Sequence, residues 1–221
     1  MKDAARDFRL QWCQDRSARY LEWAGEVARG PFSPEDKLEF AIISAHTPQS
    51  YAIAGFLATR FHFTRDAVYA GLRRTGVFAP GVKAQRIVML RRRVRAGELG
   101  IPKAPFKEWR EKDAEHHIEG LGICKLSFGL ALSAPLESDV VCLDTHLCRE
   151  YGVPFAWTRR LANYASVEAR LRGEARVVGL PPFAYQWAVW DYVRLRDRGQ
   201  APDDHSFLWQ GGARQTQPAL F

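Results

Sequence analysis

Two glycines one residue apart constrain this chain more than any other stretch. They stand in Ile118-Glu119-Gly120-Leu121-Gly122-Ile123, an apolar-x-Gly-apolar-Gly-apolar pattern. The flanking sequence has helical periodicity on both sides. Gly120 and Gly122 permit a tight turn between two helices that a residue with a Cβ would make only at a cost. Missing side chains also let main-chain N–H groups approach an anion at the start of the following helix. A phosphodiester backbone is such an anion, and contact of this kind positions a strand without reading its sequence. Taken alone, the motif is equally a glycine-rich helix connection with no ligand.

The rest of the chain is helical in pattern. Residues 5–28 place Phe8, Trp12, Tyr20, Trp23, Ala24 and Val27 at helical intervals, a segment broken by Gly30-Pro31. Ser33-Pro34-Glu35-Asp36 reads as an N-cap, a proline at the first helical position and an acidic first turn. The helix it opens, Leu38 to Ala45, is apolar on almost every side and is expected to be buried, with Pro48 ending it. Further helices are expected over Ile53–Phe61, Asp66–Arg73 and Lys83–Arg95. Gly97 to Pro105 reads as loop, and Phe106 to His117 leads into the glycine turn. Two more helices fall at about 158–172 and 182–198. From Gly199 the chain is rich in Pro, Gly, Gln and Asp and is expected to be irregular. Alternating strand patterns are nearly absent, so the expected class is all-α.

Composition narrows the possible functions. A length of 221 residues suits one large domain or two intimate small ones. No apolar run approaches the roughly 18 residues of a membrane span, and no signal-peptide core follows the N-terminus. An intracellular monomer with no membrane partner is the expectation. Lys and Arg number 32 against 25 Asp and Glu, a net charge of +7 that is compatible with a polyanionic partner. The four cysteines, Cys13, Cys124, Cys142 and Cys148, form no C-x-x-C pair. Their spacing fits neither a zinc ribbon nor an iron–sulfur loop, so free thiols and no metal are expected.

A second motif gives the glycine turn its context. Nineteen residues after Lys125 stands Asp144, where the apolar run Val141-Cys142-Leu143 ends in Asp144-Thr145-His146. With the turn, this pattern resembles the helix–hairpin–helix DNA glycosylases, the endonuclease III and 8-oxoguanine glycosylase superfamily. Ile43-Ser44-Ala45-His46-Thr47 is similar to a turn of endonuclease III, and Lys83-Ala84-Gln85-Arg86-Ile87 to the family's Lys-Ala-x-x-Ile helix. The likeness spans about residues 35–152. It implies two helical subdomains around a central cleft, without an iron–sulfur cluster because no cysteine follows Cys148. Residues 1–35 and 150–221 would form one subdomain. Residues 36–149 would form the helical core, with the hairpin at about 107–132 and a flexible tail at 211–221.

The resemblance also implies chemistry. A base stacked in a duplex is out of reach of side chains, so such enzymes evert it into a pocket. DNA is the implied partner and a DNA N-glycosylase, with or without lyase activity, the implied enzyme. Lys125 would attack the sugar C1′, and Asp144 would activate it and stabilise the positive charge that develops there. Asp144 equally suits the N-cap of the helix that follows. The implied DNA contacts are Gly120, Gly122, Ile123, Cys124, His46, Thr47, Arg86, His146 and Arg149. The resemblance allows a monovalent cation at the hairpin and calls for no other cofactor.

One departure matters. In the bifunctional members the lysine is the second residue after the second glycine, and here Cys124 fills that slot. Either the turn is one residue longer, or Lys125 points elsewhere, since one step along a helix rotates a side chain by about 100°. Two other functions therefore stay open. Small phage-encoded relatives of the α-glutamyl/putrescinyl-thymine pyrophosphorylase type join an amine or amino acid to an activated pyrimidine in DNA. A DNA-binding module without catalysis is the third.

Several residues keep two readings. His46 would fill the gap left by an everted base, or simply serve its turn. His146 reads as structural or DNA-contacting, and His116-His117 as surface or packing residues. Arg91-Arg92-Arg93 is a solvated face or the flank of a DNA groove. The cluster Phe183, Tyr185, Trp187, Trp190 and Tyr192 is mostly core, with one ring available to stack on a base. Gln217-Pro218-Ala219-Leu220-Phe221 resembles the bacterial sliding-clamp-binding peptide through Gln217, Leu220 and Phe221, which would suit a bacterial or phage-infected cell.

Overall fold

A computed structural model describes residues 2–112 and 118–199. Among these residues there are eleven α-helices and one 3₁₀ turn, and no strand. In chain order they are α1 (Lys2–Asp15), α2 (Ser17–Arg29), α3 (Pro34–Ser44), α4 (Gln49–Thr59), α5 (Arg65–Arg74) and α6 (Pro80–Arg95). Then come α7 (Lys107–Glu111), α8 (Ile123–Ser133), α9 (Thr145–Glu150), the 3₁₀ turn (Phe155–Arg159), α10 (Leu161–Val178) and α11 (Pro182–Arg198). The all-α expectation holds. His116, His117, Gln217, Leu220 and Phe221 lie outside the described residues.

Helix α3 is the hub. Ser33 caps it: its Oγ accepts from the Asp36 amide at 3.1 Å, while the Asp36 carboxylate accepts from the Ser33 amide at 2.9 Å. This reciprocal box satisfies two donors that a helix start would otherwise leave unpaired. Every residue from Lys37 to Ile43 is buried. Full burial of Leu38, Ile42 and Ile43 contributes about 2 kcal/mol each. Helix α3 packs on α4, α6 and α8. Against α8 the approach is close, because a Cβ on Gly129 would stand 3.1 Å from the Leu38 Cα. Leu38 meets Gly129 while Ser44 meets Lys125, so the two helices run antiparallel.

The second group of helices gathers around α11, which packs on α1, α2, α9 and α10. A line of rings joins the two groups. Trp23 stacks on Phe183 at 5.3 Å and meets Trp187 at 5.1 Å. Trp187 lies 6.1 Å from Phe128, which lies 6.0 Å from Phe40.

Two expectations need correction. The helical segment read over 5–28 breaks at Arg16, which leaves helical angles at φ −113°, ψ 8°. The break lets α1 lie on α10 and α11 while α2 lies on α11 and α8. Arg16 itself folds back, its guanidinium 4.4 Å over the Trp12 ring. The basic run 91–93 is not uniformly solvated either. Arg91 is buried and grips Glu39 with two bonds of 2.5 Å, and it also donates to the His62 carbonyl.

Candidate active site

Val140 to Leu143 form an irregular buried run with no neighbouring strand, and side chains bind its backbone instead. Glu168 Oε1 accepts from the Val141 amide at 3.0 Å, and the Tyr164 hydroxyl donates to the Val141 carbonyl at 2.6 Å. The Cys142 amide donates to Gln186 Oε1 at 2.6 Å, and the Leu143 amide to the Tyr164 hydroxyl at 3.0 Å. Leaving any one of these buried groups without a partner would cost about 1–3 kcal/mol. Glu168 is itself held by Arg110 through bonds of 2.7 and 2.8 Å, and Arg110 also donates to Ser127 Oγ at 2.8 Å. The pair thus ties α7, α8 and α10 to the run.

Asp144 ends the run and starts α9. Its Oδ1 accepts from the Leu147 amide at 2.9 Å, the N-cap geometry anticipated for it. The bond fixes the carboxylate at the edge of the cleft described below.

The glycine turn delivers α8 to the same place. Gly120 has φ +86°, and a Cβ there would fall 2.2 Å from Arg86 Cδ and Nε. The backbone angle favours glycine here, and a Cβ would also oblige the Arg86 side chain packed on it to move. Gly122 is the N-cap of α8, and a Cβ there would meet nothing within 4 Å. Space for a close approach thus lies in front of the first turn of an eleven-residue helix.

Cys124 and Lys125 are the second and third residues of that helix. The Cys124 Sγ lies 3.3 Å from the Cys142 Sγ. The Lys125 ammonium donates to Ser44 Oγ at 3.1 Å and lies 5.1 Å from the Phe128 ring centroid. Both side chains line the cleft, so the one-residue displacement does not remove Lys125 from it.

The third contributor is the turn after α3. The Lys83 ammonium donates to the Ile43 carbonyl at 2.7 Å, the Ala45 carbonyl at 2.5 Å and Thr47 Oγ1 at 2.7 Å. Burial first, then the positive charges of Lys125 and Arg86, pull the pKa of Lys83 down to about 8. Between these anchors the exposed His46 adopts φ +54°, a left-handed angle uncommon outside glycine. Its ring meets Phe78 edge-on at 6.4 Å.

These parts enclose a cleft of about 940 Å³. Phe40, Phe128, Trp187 and Trp190 provide apolar wall, and Arg159, Arg194 and Arg198 provide positive charge. His146 meets the Trp190 ring at 6.4 Å, and Arg194 lies 4.4 Å over its face. Of the residues singled out from sequence, the cleft brings together His46, Thr47, Gly120, Gly122, Ile123, Cys124, Lys125, Asp144 and His146. Arg86 packs behind the glycine turn, and Arg149 is exposed on the last turn of α9; neither lines the cleft. Of the aromatic cluster, Trp187 and Trp190 are the rings that reach it. Sequence reading missed Ser44, Tyr164, Glu168 and Gln186, whose roles depend on partners far along the chain. Among the described residues no group of three or more His, Cys, Asp or Glu side chains could hold a metal ion.

No protein-family model matches the chain, and no curated protein matches it by sequence. Solved structures do match it by shape. The 8-oxoguanine DNA glycosylase of Thermotoga maritima superposes with a TM-score of 0.67, and that of Methanocaldococcus jannaschii with 0.74. Each is 18% identical and covers 92% of this chain and 100% of its own. The chain therefore has the all-α fold of the helix–hairpin–helix DNA glycosylases, as the glycine turn and Asp144-Thr145-His146 implied.

Proposed function

We propose that this chain is a DNA base-processing enzyme, a DNA N-glycosylase that acts on an everted modified or damaged base. The observation that carries the reading is the convergence of Lys125, Asp144 and the Gly120–Gly122 turn on one aromatic-walled cleft with room for a nucleobase. The glycine turn and the α8 N-terminus would hold a phosphate. Trp187, Trp190 or Phe128 would offer a face to the base. The Lys125 amine would attack C1′ as the base leaves, with Asp144 opposing the positive charge that builds on the sugar. Opening of the sugar would leave a Schiff base between Lys125 and C1′.

Borohydride reduces such an imine to a stable amine, so a panel of modified-base duplexes with borohydride tests the reading directly. A covalent protein–DNA adduct is expected with at least one substrate, and Lys125→Ala should abolish it. Undiminished excision or adduct formation by Lys125→Ala would sink the nucleophile assignment.

The contact between Lys125 and Ser44, together with Cys124 in the usual lysine slot, supports a second reading. In it the same fold transfers an amine or amino acid to an activated pyrimidine in DNA. Mass spectrometry of nucleosides after incubation separates the two, because a lost base supports excision and a heavier base supports transfer.

A further inference from the structure

Cys124 and Cys142 come from different elements, eighteen residues apart, yet their sulfurs lie 3.3 Å apart. Both line the cleft, Cys124 half-buried on the first turn of α8 and Cys142 on the run leading to Asp144. The other two cysteines are placed differently. Cys13 is buried on α1, and the Cys148 sulfur lies against the Leu143 carbonyl, at 3.8 Å, and the Thr158 side chain. We propose that Cys124 and Cys142 form a redox-active dithiol in the floor of the cleft, which small-molecule disulfides oxidise to an intramolecular disulfide.

The geometry asks for little movement. A disulfide needs its sulfurs at about 2.05 Å, so the two must approach by about 1.2 Å. The roles of the two thiols are distinct. Cys124 is half-buried at the cleft while Cys142 lies buried behind it, so an oxidant entering the cleft meets Cys124 first; contact with Cys124 and burial raise the Cys142 pKa, in keeping with its role as the second thiol. The Cys124 thiolate attacks the oxidant's S–S bond, forms a mixed disulfide and expels one thiolate, which takes up the Cys124 proton. Cys142 then attacks the Cys124 sulfur, its proton passing to the second departing thiolate. The dithiol loses two electrons and two protons, and the oxidant leaves as two thiols. Burial holds Cys13 and Cys148 up at about 12 and about 11, so neither competes.

The experiment treats the full chain with oxidised glutathione, alkylates the remaining thiols under denaturing conditions and maps peptides by mass spectrometry. The expected product is one Cys124–Cys142 cross-linked peptide pair, two hydrogens lighter than the reduced pair, with Cys13 and Cys148 fully alkylated. Cys142→Ser should instead stop at a glutathione adduct on Cys124, and Cys124→Ser should give no bridge. Full alkylation of all four thiols in the wild type would overturn the proposal. So would a stable Cys124 adduct in the wild type, or bridges between chains. The readout needs no DNA, so it stands or falls apart from the base-processing reading.

Discussion

At the scale of single residues, Gly120 shows how one position can be fixed by its backbone angle. Its φ of +86° excludes most side chains, and the Arg86 side chain occupies the space a Cβ would need. Gly120→Ala should therefore lower stability by about 1–3 kcal/mol, the usual cost of a forced left-handed residue, measured by chemical denaturation. An unchanged midpoint would mean that the turn relaxes freely. Lys83 gives a residue-scale prediction in pH. Its folded-state pKa of about 8 lies below the ordinary lysine value of 10.5. Between these values the unfolded chain holds more protons than the native one, so this group makes stability rise with pH across that window and contributes no slope below it. The wild-type stability minus that of Lys83→Met should climb from about pH 8 to pH 10, and a flat difference would show that the lysine stays protonated. Gly120, the Asp144 cap and the Ser33 N-cap were legible in the sequence because each obeys a local rule. Arg91 was not. A helix turns each successive side chain by about 100°, so three adjacent arginines cannot share a face, and which one turns inward depends on Glu39, 52 residues away.

At the scale of elements, the irregular run before Asp144 has no sheet to complete its hydrogen bonds, and α10 and α11 complete them with Tyr164, Glu168 and Gln186. Gln186→Ala removes the acceptor for the buried Cys142 amide and should cost about 1–3 kcal/mol in stability. It should also weaken any reaction that uses Asp144, two residues further on. Denaturation together with the borohydride assay checks both, and loss of neither would show that the run holds itself. This support could not be read from sequence. Tyr164 and Glu168 stand four residues apart on one helical face, a pattern shared by countless packed helices, and nothing in it names the backbone they bind. The break at Arg16 was hidden for a similar reason. Apolar spacing continues through it, and only packing on two different sets of helices requires it.

At the scale of the molecule, buried arginine–carboxylate pairs join segments distant in sequence. Arg9 bridges Glu150 and Glu174, Arg91 holds Glu39, and Arg110 holds Glu168. Removing one partner strands the other charge without water. Glu168→Gln leaves the buried Arg110 with only the partly exposed Glu111, at 3.2 Å, as an ionic partner, and should cost about 3 kcal/mol in urea denaturation, the low end for a broken buried pair and more than loss of a surface pair. A cost below about 1 kcal/mol would mean that solvent reaches Arg110. The order of the helices was legible because buried faces and caps recur along the chain, and the cleft was expected only through the resemblance; these long-range pairs were not legible. The line of rings from Trp23 through Trp187 and Phe128 to Phe40 has a further consequence. It braces both groups of helices across the floor of the cleft, and close-packed interiors transmit strain and do not yield to it. Widening the opening would therefore have to pull these ring contacts apart. For the everted base proposed above, this would shift much of the energy of fit to the guest, to how readily a nucleotide leaves its neighbours.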